Sequence, residues 1–333
     1  MKIIVPMAGR GSRLRPHTLT VPKPLVPVGG KPIVHRLVQD IAKTSSEKIE
    51  EIAFVIGDFG AEVEAELIKV AEKLGAKGSI YYQDKALGTA HAVLCAAESL
   101  SGPVVVAFAD TLFKADFTLD SDADGILWVK QIDDPSAFGV VKLNDEGVIT
   151  DFVEKPETFV SDLAMIGIYY FKDGAKLKYE LQYLIDNGII KGGEYQLPDA
   201  LRNLTKKGAQ FKPGKVTEWL DCGNKDVTVH TNQRVLEFDK DEPLVSPDLI
   251  LKNSVVIAPC FIGEHVVIEN SVVGPHVSLG RGTTVNNSVI TNSIVQQNAM
   301  IANSNLQDSM IGNYAKILSH GKVISIGDYT TIE

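Results

Sequence analysis

Four phrases near the C-terminal end of the chain limit its fold most: Asn253-Ser254-Val255-Val256, Asn270-Ser271-Val272-Val273, Asn287-Ser288-Val289-Ile290 and Asn303-Ser304-Asn305-Leu306, spaced 17, 17 and 16 residues apart. Three short strands of about six residues each fill one such period, so each repeat can form one coil of a parallel β-helix with its aliphatic residues turned inward. Ile262-Gly263, Leu279-Gly280 and Ile311-Gly312 supply the aliphatic–glycine steps of a hexapeptide repeat. A left-handed β-helix over residues 241–333 is therefore expected, in preference to a β-sandwich of short strands.

The chain before the repeats has a different texture. Apolar runs bounded by glycine or aspartate alternate with amphipathic stretches, as in a sheet with helices on its faces. Strands are expected at Lys2–Pro6, Ile52–Ile56, Ser79–Gln83, Val104–Ala109 and Gly125–Val129, with helices at Lys31–Lys43 and Ala61–Leu74. From Gly139 a hairpin is expected, Val140–Leu143 and Val148–Val153 about the turn Asn144–Gly147, which makes the sheet mixed. A strand at Ala164–Phe171, a helix at Lys176–Asn187 and the run Val216–Asp221 complete an α/β domain over residues 1–240.

Composition removes several functions. A net charge of −9 lacks the broad cationic face that a nucleic-acid or membrane-surface binder needs, so any bound phosphate must be held locally. Cys95, Cys222 and Cys260 share no CxxC spacing and make no disulfide framework, which suits a reducing cytoplasm. The apolar run Ile3–Met7 is far shorter than a signal or membrane segment requires.

The most informative stretch for chemistry is Met7–Pro32, directly after the first strand. It closes with no GK[ST], so it is not a P-loop, and it lacks the third glycine of a dinucleotide fingerprint. It does combine glycines that admit phosphate oxygens to backbone N–H groups, Arg13 as a forked donor, and Lys23 fixed between Pro22 and Pro24. That set of residues is suited to neutralising a triphosphate. Asp110, after the apolar strand Val104–Ala109, and Asp221, after another, stand where ligands bind in α/β sheets.

This stretch resembles the signature of the sugar-1-phosphate nucleotidyltransferases: a glycine turn, Ser12-Arg13-Leu14-Arg15-Pro16-His17-Thr18, then Pro22-Lys23-Pro24 and Lys31-Pro32. The resemblance implies a Rossmann-like mixed-sheet nucleotidyltransferase domain followed by the β-helix. It also implies phosphate contacts from Ala8, Gly9, Gly11, Arg13 and Lys23, and Mg²⁺ held by Asp110 and Asp221. Two departures are Ser12 in place of threonine and Ala8 where some branches carry glycine. Gln83 to His91 is similar to the family's base-recognition segment, which implies nucleotide contacts from Gln83, Gly88 and Thr89, and the Gln83 amide, donor and acceptor at once, is expected to read both O4 and N3–H of uracil or thymine. His91 is expected to be a helix-face residue rather than a catalyst. On the sugar side, Gly139, Glu154, Lys155 and Tyr169 match family motifs, and Met165 replaces the asparagine of some N-acetylglucosamine-specific branches.

The expected reaction is in-line attack of a sugar 1-phosphate, glucose 1-phosphate being the first choice, on the α-phosphorus of dTTP or UTP, with release of pyrophosphate and no covalent intermediate. Alternatives of the same fold are a mannose-1-phosphate guanylyltransferase and a silent regulatory subunit. An added acyltransferase activity is disfavoured, since His265, His276 and His320 have no recognisable companions. A homo-oligomer assembled through the β-helix is expected, with no nucleic acid or membrane partner.

Overall fold

A computed structural model describes residues 1–9, 11–45, 47–115 and 123–319. His320 and the tail after it lie outside the described residues. Contacts divide the chain into two units, Met1–Val26 with Pro32–Gly223, and Pro27–Lys31 with Asn224–Glu333. Among the described residues no helix is long and apolar enough to cross a membrane.

The first unit is built on β1 (Lys2–Pro6), α1 (Ile33–Thr44), β2 (Glu51–Ile56), α2 (Ala61–Lys73), β3 (Lys77–Tyr82), α3 (Thr89–Cys95), β4 (Val104–Ala107) and β5 (Thr111–Lys114). It continues through β6 (Gly125–Gln131), β7 (Gly139–Leu143), β8 (Ile149–Glu154), β9 (Leu163–Phe171), α4 (Gly174–Asp186), α5 (Leu197–Lys206), β10 (Phe211–Lys215) and β11 (Glu218–Asp221). Nine strands form one sheet in the order β3-β2-β1-β4-β9-β6-β10-β8-β7. The first four run parallel, and β9 is antiparallel to both β4 and β6. Every residue of β2 and β4 is buried, because helices cover both faces of that half of the sheet. Ile33, Val34, Leu37, Val38 and Ile41 form the buried stripe of α1, at the three- and four-residue spacing that a sheet-covering helix shows.

The expected hairpin is present, its turn closed by Asn144 Oδ1, which accepts from the backbone N–H groups of Glu146 and Val148. Two strands had no signal in the sequence. In β10, Pro213 and Gly214 depress strand propensity, and the segment is placed by its parallel register on β6 and an antiparallel pairing of Phe211 with Ile149 of β8. β5 continues directly from Asp110 and pairs antiparallel with β11, Thr111 opposite Asp221.

In the second unit, strands that each begin one repeat apart stack in parallel register into sheets of five, four and four. Ile268, Val273, Leu279, Val285, Ile290, Val295 and Ile301 form its buried core. These stacked sheets fit a left-handed β-helix. The repeated Asn-Ser pair explains one corner of the coil. Asn253, Asn270, Asn287 and Asn303 all have φ between 45° and 52°, the left-handed region asparagine tolerates. Each following serine then joins coil to coil: the N–H groups of Ser271, Ser288 and Ser304 donate to the hydroxyl of the serine one coil before, at 3.0, 3.0 and 3.1 Å.

The short segment Pro27–Lys31 is folded with the second unit, between its helix Lys225–Phe238 and the coils. Gly29 N–H donates to Asn232 Oδ1 at 2.9 Å, Ser278 Oγ donates to the same oxygen at 2.7 Å, and Asn232 Nδ2 donates to the His276 carbonyl at 3.2 Å. A side-chain carbon on Gly30 would stand 2.3 Å from the Phe261 ring.

Candidate active site

The carboxyl ends of β1, β3 and β4 face a cleft of about 350 Å³, the position where open α/β sheets bind ligands. Ala8, Gly9, Gly11, Arg13 and Lys23 line it from the segment after β1, Gln83, Gly88 and Thr89 from the segment after β3, and Asp110 from the segment after β4. Nine of the residues singled out in the sequence therefore meet in one place.

Local structure explains why the first segment has this shape. Gly11 adopts φ 59°, and a side-chain carbon on it would lie 2.8 Å from Lys23 Cβ, so the turn and the lysine stem pack directly. Thr18 Oγ1 donates to the Gly11 carbonyl at 2.7 Å and closes the loop. Lys23 is 7% exposed and its Nζ lies 3.1 Å from Asp110 Oδ2. The cation and the acid satisfy each other.

Asp221 is carried to Asp110 by the β5–β11 pair, and Cys222 N–H donates to the Asp110 carbonyl at 3.0 Å. Burial pushes the Asp221 carboxyl up, the Asp110 charge adds to this, and Lys23 and Arg13 oppose it. Two carboxylates thus share a region with two cations. Among the described residues no third His, Cys, Asp or Glu joins a metal cluster, so the donor set is two carboxylates. That set fits Mg²⁺, which keeps much of its water and takes its other oxygens from phosphates.

The segment from Gln83 to Thr89 is held by the backbone of Tyr195. Tyr195 N–H donates to the Leu87 carbonyl at 2.8 Å, and Ala90 N–H donates to the Tyr195 carbonyl at 2.9 Å. A side-chain carbon on Gly88, at φ 114°, would meet that carbonyl oxygen at 2.4 Å. Thr89 Oγ1 accepts from Leu197 N–H at 3.0 Å, which satisfies a free donor at the start of α5. Thr89 therefore lines the cleft while also bracing α5. The Gln83 amide nitrogen is also engaged, at 3.3 Å from the Gly88 carbonyl and 3.1 Å from His91 Nδ1. Its oxygen is left as the atom that can accept from a bound molecule.

Gly139, Glu154, Lys155 and Tyr169 sit together next to the cleft. Tyr169 is buried and packs edge-on against Phe108, a cleft residue, with ring centres 6.3 Å apart. Burial, then the charges of Glu154 and Asp110, push its hydroxyl well above the ordinary range, so it stays a protonated donor. A side-chain carbon on Gly139 would stand 2.7 Å from Glu154 Oε2. Burial pushes the Glu154 carboxyl up; Lys155 opposes this and Glu194 adds to it. Lys155 itself has φ 42°, unusual for a long side chain, and its N–H donates to the Phe138 carbonyl at 3.1 Å.

Glu194 also lines the cleft, and nothing in the sequence singled it out. The available signal was Gly192-Gly193 just before it, a flexible approach to an acid, with both glycines at positive φ. The β-helix histidines are tied elsewhere, His265 Nδ1 to Asp248 and His276 Nε2 to Glu237, each at 2.6 Å.

Comparison with known proteins gives a consistent result. The glucose-1-phosphate thymidylyltransferase of Streptomyces griseus is 29% identical, over 99% of this chain and 98% of that protein. The bifunctional protein GlmU of Methanococcus aeolicus is also 29% identical, over 77% of this chain but 60% of its own length. A crystal structure of a UDP-glucose pyrophosphorylase complexed with UDP-glucose shares the fold, with a TM-score of 0.58 and 24% identity over 71% of this chain and 98% of that one. A family model described as nucleotidyl transferase matches residues 2–237, the span that holds every cleft residue named above, and the chain belongs to that family.

Proposed function

We propose that the chain transfers a nucleoside monophosphate from dTTP or UTP to a sugar 1-phosphate, glucose 1-phosphate in the first instance, and releases pyrophosphate. The observation that carries this reading is the meeting of Gly11, Arg13 and Lys23 with Asp110 and Asp221 at the head of the parallel strands. An oxygen of the sugar phosphate attacks the α-phosphorus, the bond from that phosphorus to the β-phosphate oxygen breaks, and pyrophosphate leaves with the electron pair. The attacking oxygen is already ionised, so no general base is needed.

Positioning and charge neutralisation supply the catalysis. Arg13 forks onto the β- and γ-phosphates, and Lys23 leaves Asp110 to meet the attacked phosphate. Asp110 and Asp221 would hold Mg²⁺, which when bound neutralises charge across neighbouring phosphate oxygens. Glu154 accepts from sugar hydroxyls, Tyr169 donates to them, Lys155 pairs with the sugar phosphate, and Gly139 leaves room for Glu154. Arg13→Ala is expected to lower kcat by about 10²–10³, the usual cost of losing one charge-stabilising donor, in a steady-state pyrophosphate assay.

A matrix of five triphosphates against several sugar 1-phosphates, scored by pyrophosphate release, tests the assignment. Turnover is expected to be highest with dTTP or UTP and glucose 1-phosphate. Best activity with GTP and mannose 1-phosphate would overturn the base and sugar assignment and leave nucleotidyl transfer standing; no release with any pair would overturn transfer itself.

We further propose a division of labour at residue 240, with a cytoplasmic enzyme whose β-helix assembles copies of itself and does no chemistry. Val255, Val272 and Val289 align outward on successive coils, and Val255 and Val289 are exposed. Val255→Glu with Val289→Glu is expected to reduce the mass seen by light scattering to that of one chain; an unchanged mass would exclude this face.

A further inference from the structure

Gln83 follows β3, and its side chain ends between two groups, the Gly88 carbonyl and His91 Nδ1, whose hydrogen-bonding roles can be worked out in turn. The Gly88 carbonyl can only accept. It takes the Ala92 N–H at 3.0 Å, as the first turn of α3 requires, and it lies 3.3 Å from Gln83 Nε2. The amide must therefore present its nitrogen to Gly88, since the flipped amide would set two oxygens against each other. The same nitrogen lies 3.1 Å from His91 Nδ1. Both amide hydrogens are then used, Nδ1 is an acceptor, and the imidazole proton sits on Nε2. Burial lowers the His91 pKa, which favours this neutral ring.

The amide oxygen alone is left for a ligand in the cleft that Gln83 lines. An acceptor at that point rewards a base with an N–H on the facing ring position and penalises one with a bare ring nitrogen. We propose that His91 is a positioning residue that locks the Gln83 amide with its oxygen toward the nucleotide, so that the site prefers uracil or thymine to cytosine, and guanine to adenine, within each ring size. The inference rests on the proposed nucleotidyl transfer and adds the rule by which the base is chosen. It also differs from pairing of both amide atoms with the base, because the nitrogen has no hydrogen to spare.

The test compares the wild type with His91→Asn and His91→Leu, using kcat/KM for UTP against CTP with one sugar 1-phosphate. The asparagine oxygen can replace Nδ1 as an acceptor, whereas leucine frees the amide to flip. The wild type is expected to favour UTP, His91→Asn to keep that preference, and His91→Leu to lose about tenfold of it through KM with kcat little changed, the usual cost of one mispaired hydrogen bond. An undiminished UTP preference in His91→Leu overturns the proposal, as does an equal loss in both variants. Nitrogen-15 NMR of histidine-labelled wild-type protein, with the signal assigned through His91→Asn, reads the tautomer without relying on the leucine variant. A proton on Nδ1 would overturn the proposal. Failure of the transfer reading is distinct: it shows as no pyrophosphate from the wild type with any triphosphate.

Discussion

Asp110→Ala and Asp221→Ala are each expected to reduce pyrophosphate release by at least about 10³, because each removes one of the two carboxylates proposed to hold Mg²⁺. Their effects on stability should differ. Asp221 is held with its carboxyl pushed up by burial and by Asp110, so its charge is a burden on the fold, and the alanine variant should melt at or above the wild-type temperature. Asp110→Ala strips the partner from a lysine only 7% exposed. The Asp110 side chain is half-exposed, so that loss should stay at ~1 kcal/mol. Full activity in either variant would remove the acid from the site. A large drop in melting temperature for Asp221→Ala would instead make it a framework residue.

The second large effect is expected from a single methyl group. Gly88→Ala puts a carbon 2.4 Å from the Tyr195 carbonyl oxygen and 2.8 Å from its nitrogen, at a φ of 114°. Backbone cannot swing aside as a side-chain tip can, so the two hydrogen bonds that dock this loop on Tyr195 must break. The cost should be about 3 kcal/mol or more, and kcat/KM for the triphosphate should fall at least about a hundredfold. Gly9→Ala is the control, since nothing lies within 4 Å of the added carbon. It should melt as the wild type does, and any effect should be confined to KM for the triphosphate. Wild-type kinetics in Gly88→Ala would show that the loop does not hold the base.

What could be read from the sequence depended on the range of the interactions involved. The Asn-Ser repeat announced the coils because both of its roles are local: asparagine turns the corner and serine binds the next coil. The phosphate-side residues were also legible, since Gly11, Arg13 and Lys23 lie on one short stretch whose turns fix their spacing. Glu194 was not, because it reaches the cleft only through the docking of Tyr195 on Leu87 and Ala90. The direction of the Gln83 amide was equally out of reach. It is decided by a carbonyl and an imidazole whose positions depend on the start of α3. β10 was hidden by Pro213 and Gly214, which a parallel neighbour tolerates and a propensity count does not.

The placement of Pro27–Lys31 in the second unit also sets an order on biosynthesis. Gly29 and Asn232 are 203 positions apart, and at about 5–20 residues per second the ribosome needs roughly 10–40 s to deliver the second after the first. Phe261, against which Gly30 lies, emerges later still. During that interval the nascent chain carries Lys23 just upstream of a segment whose folding partner has not been made. Completion of the first strand–loop region thus waits on translation of the coils, and a chain halted before Asn232 leaves the end of that loop without its anchor.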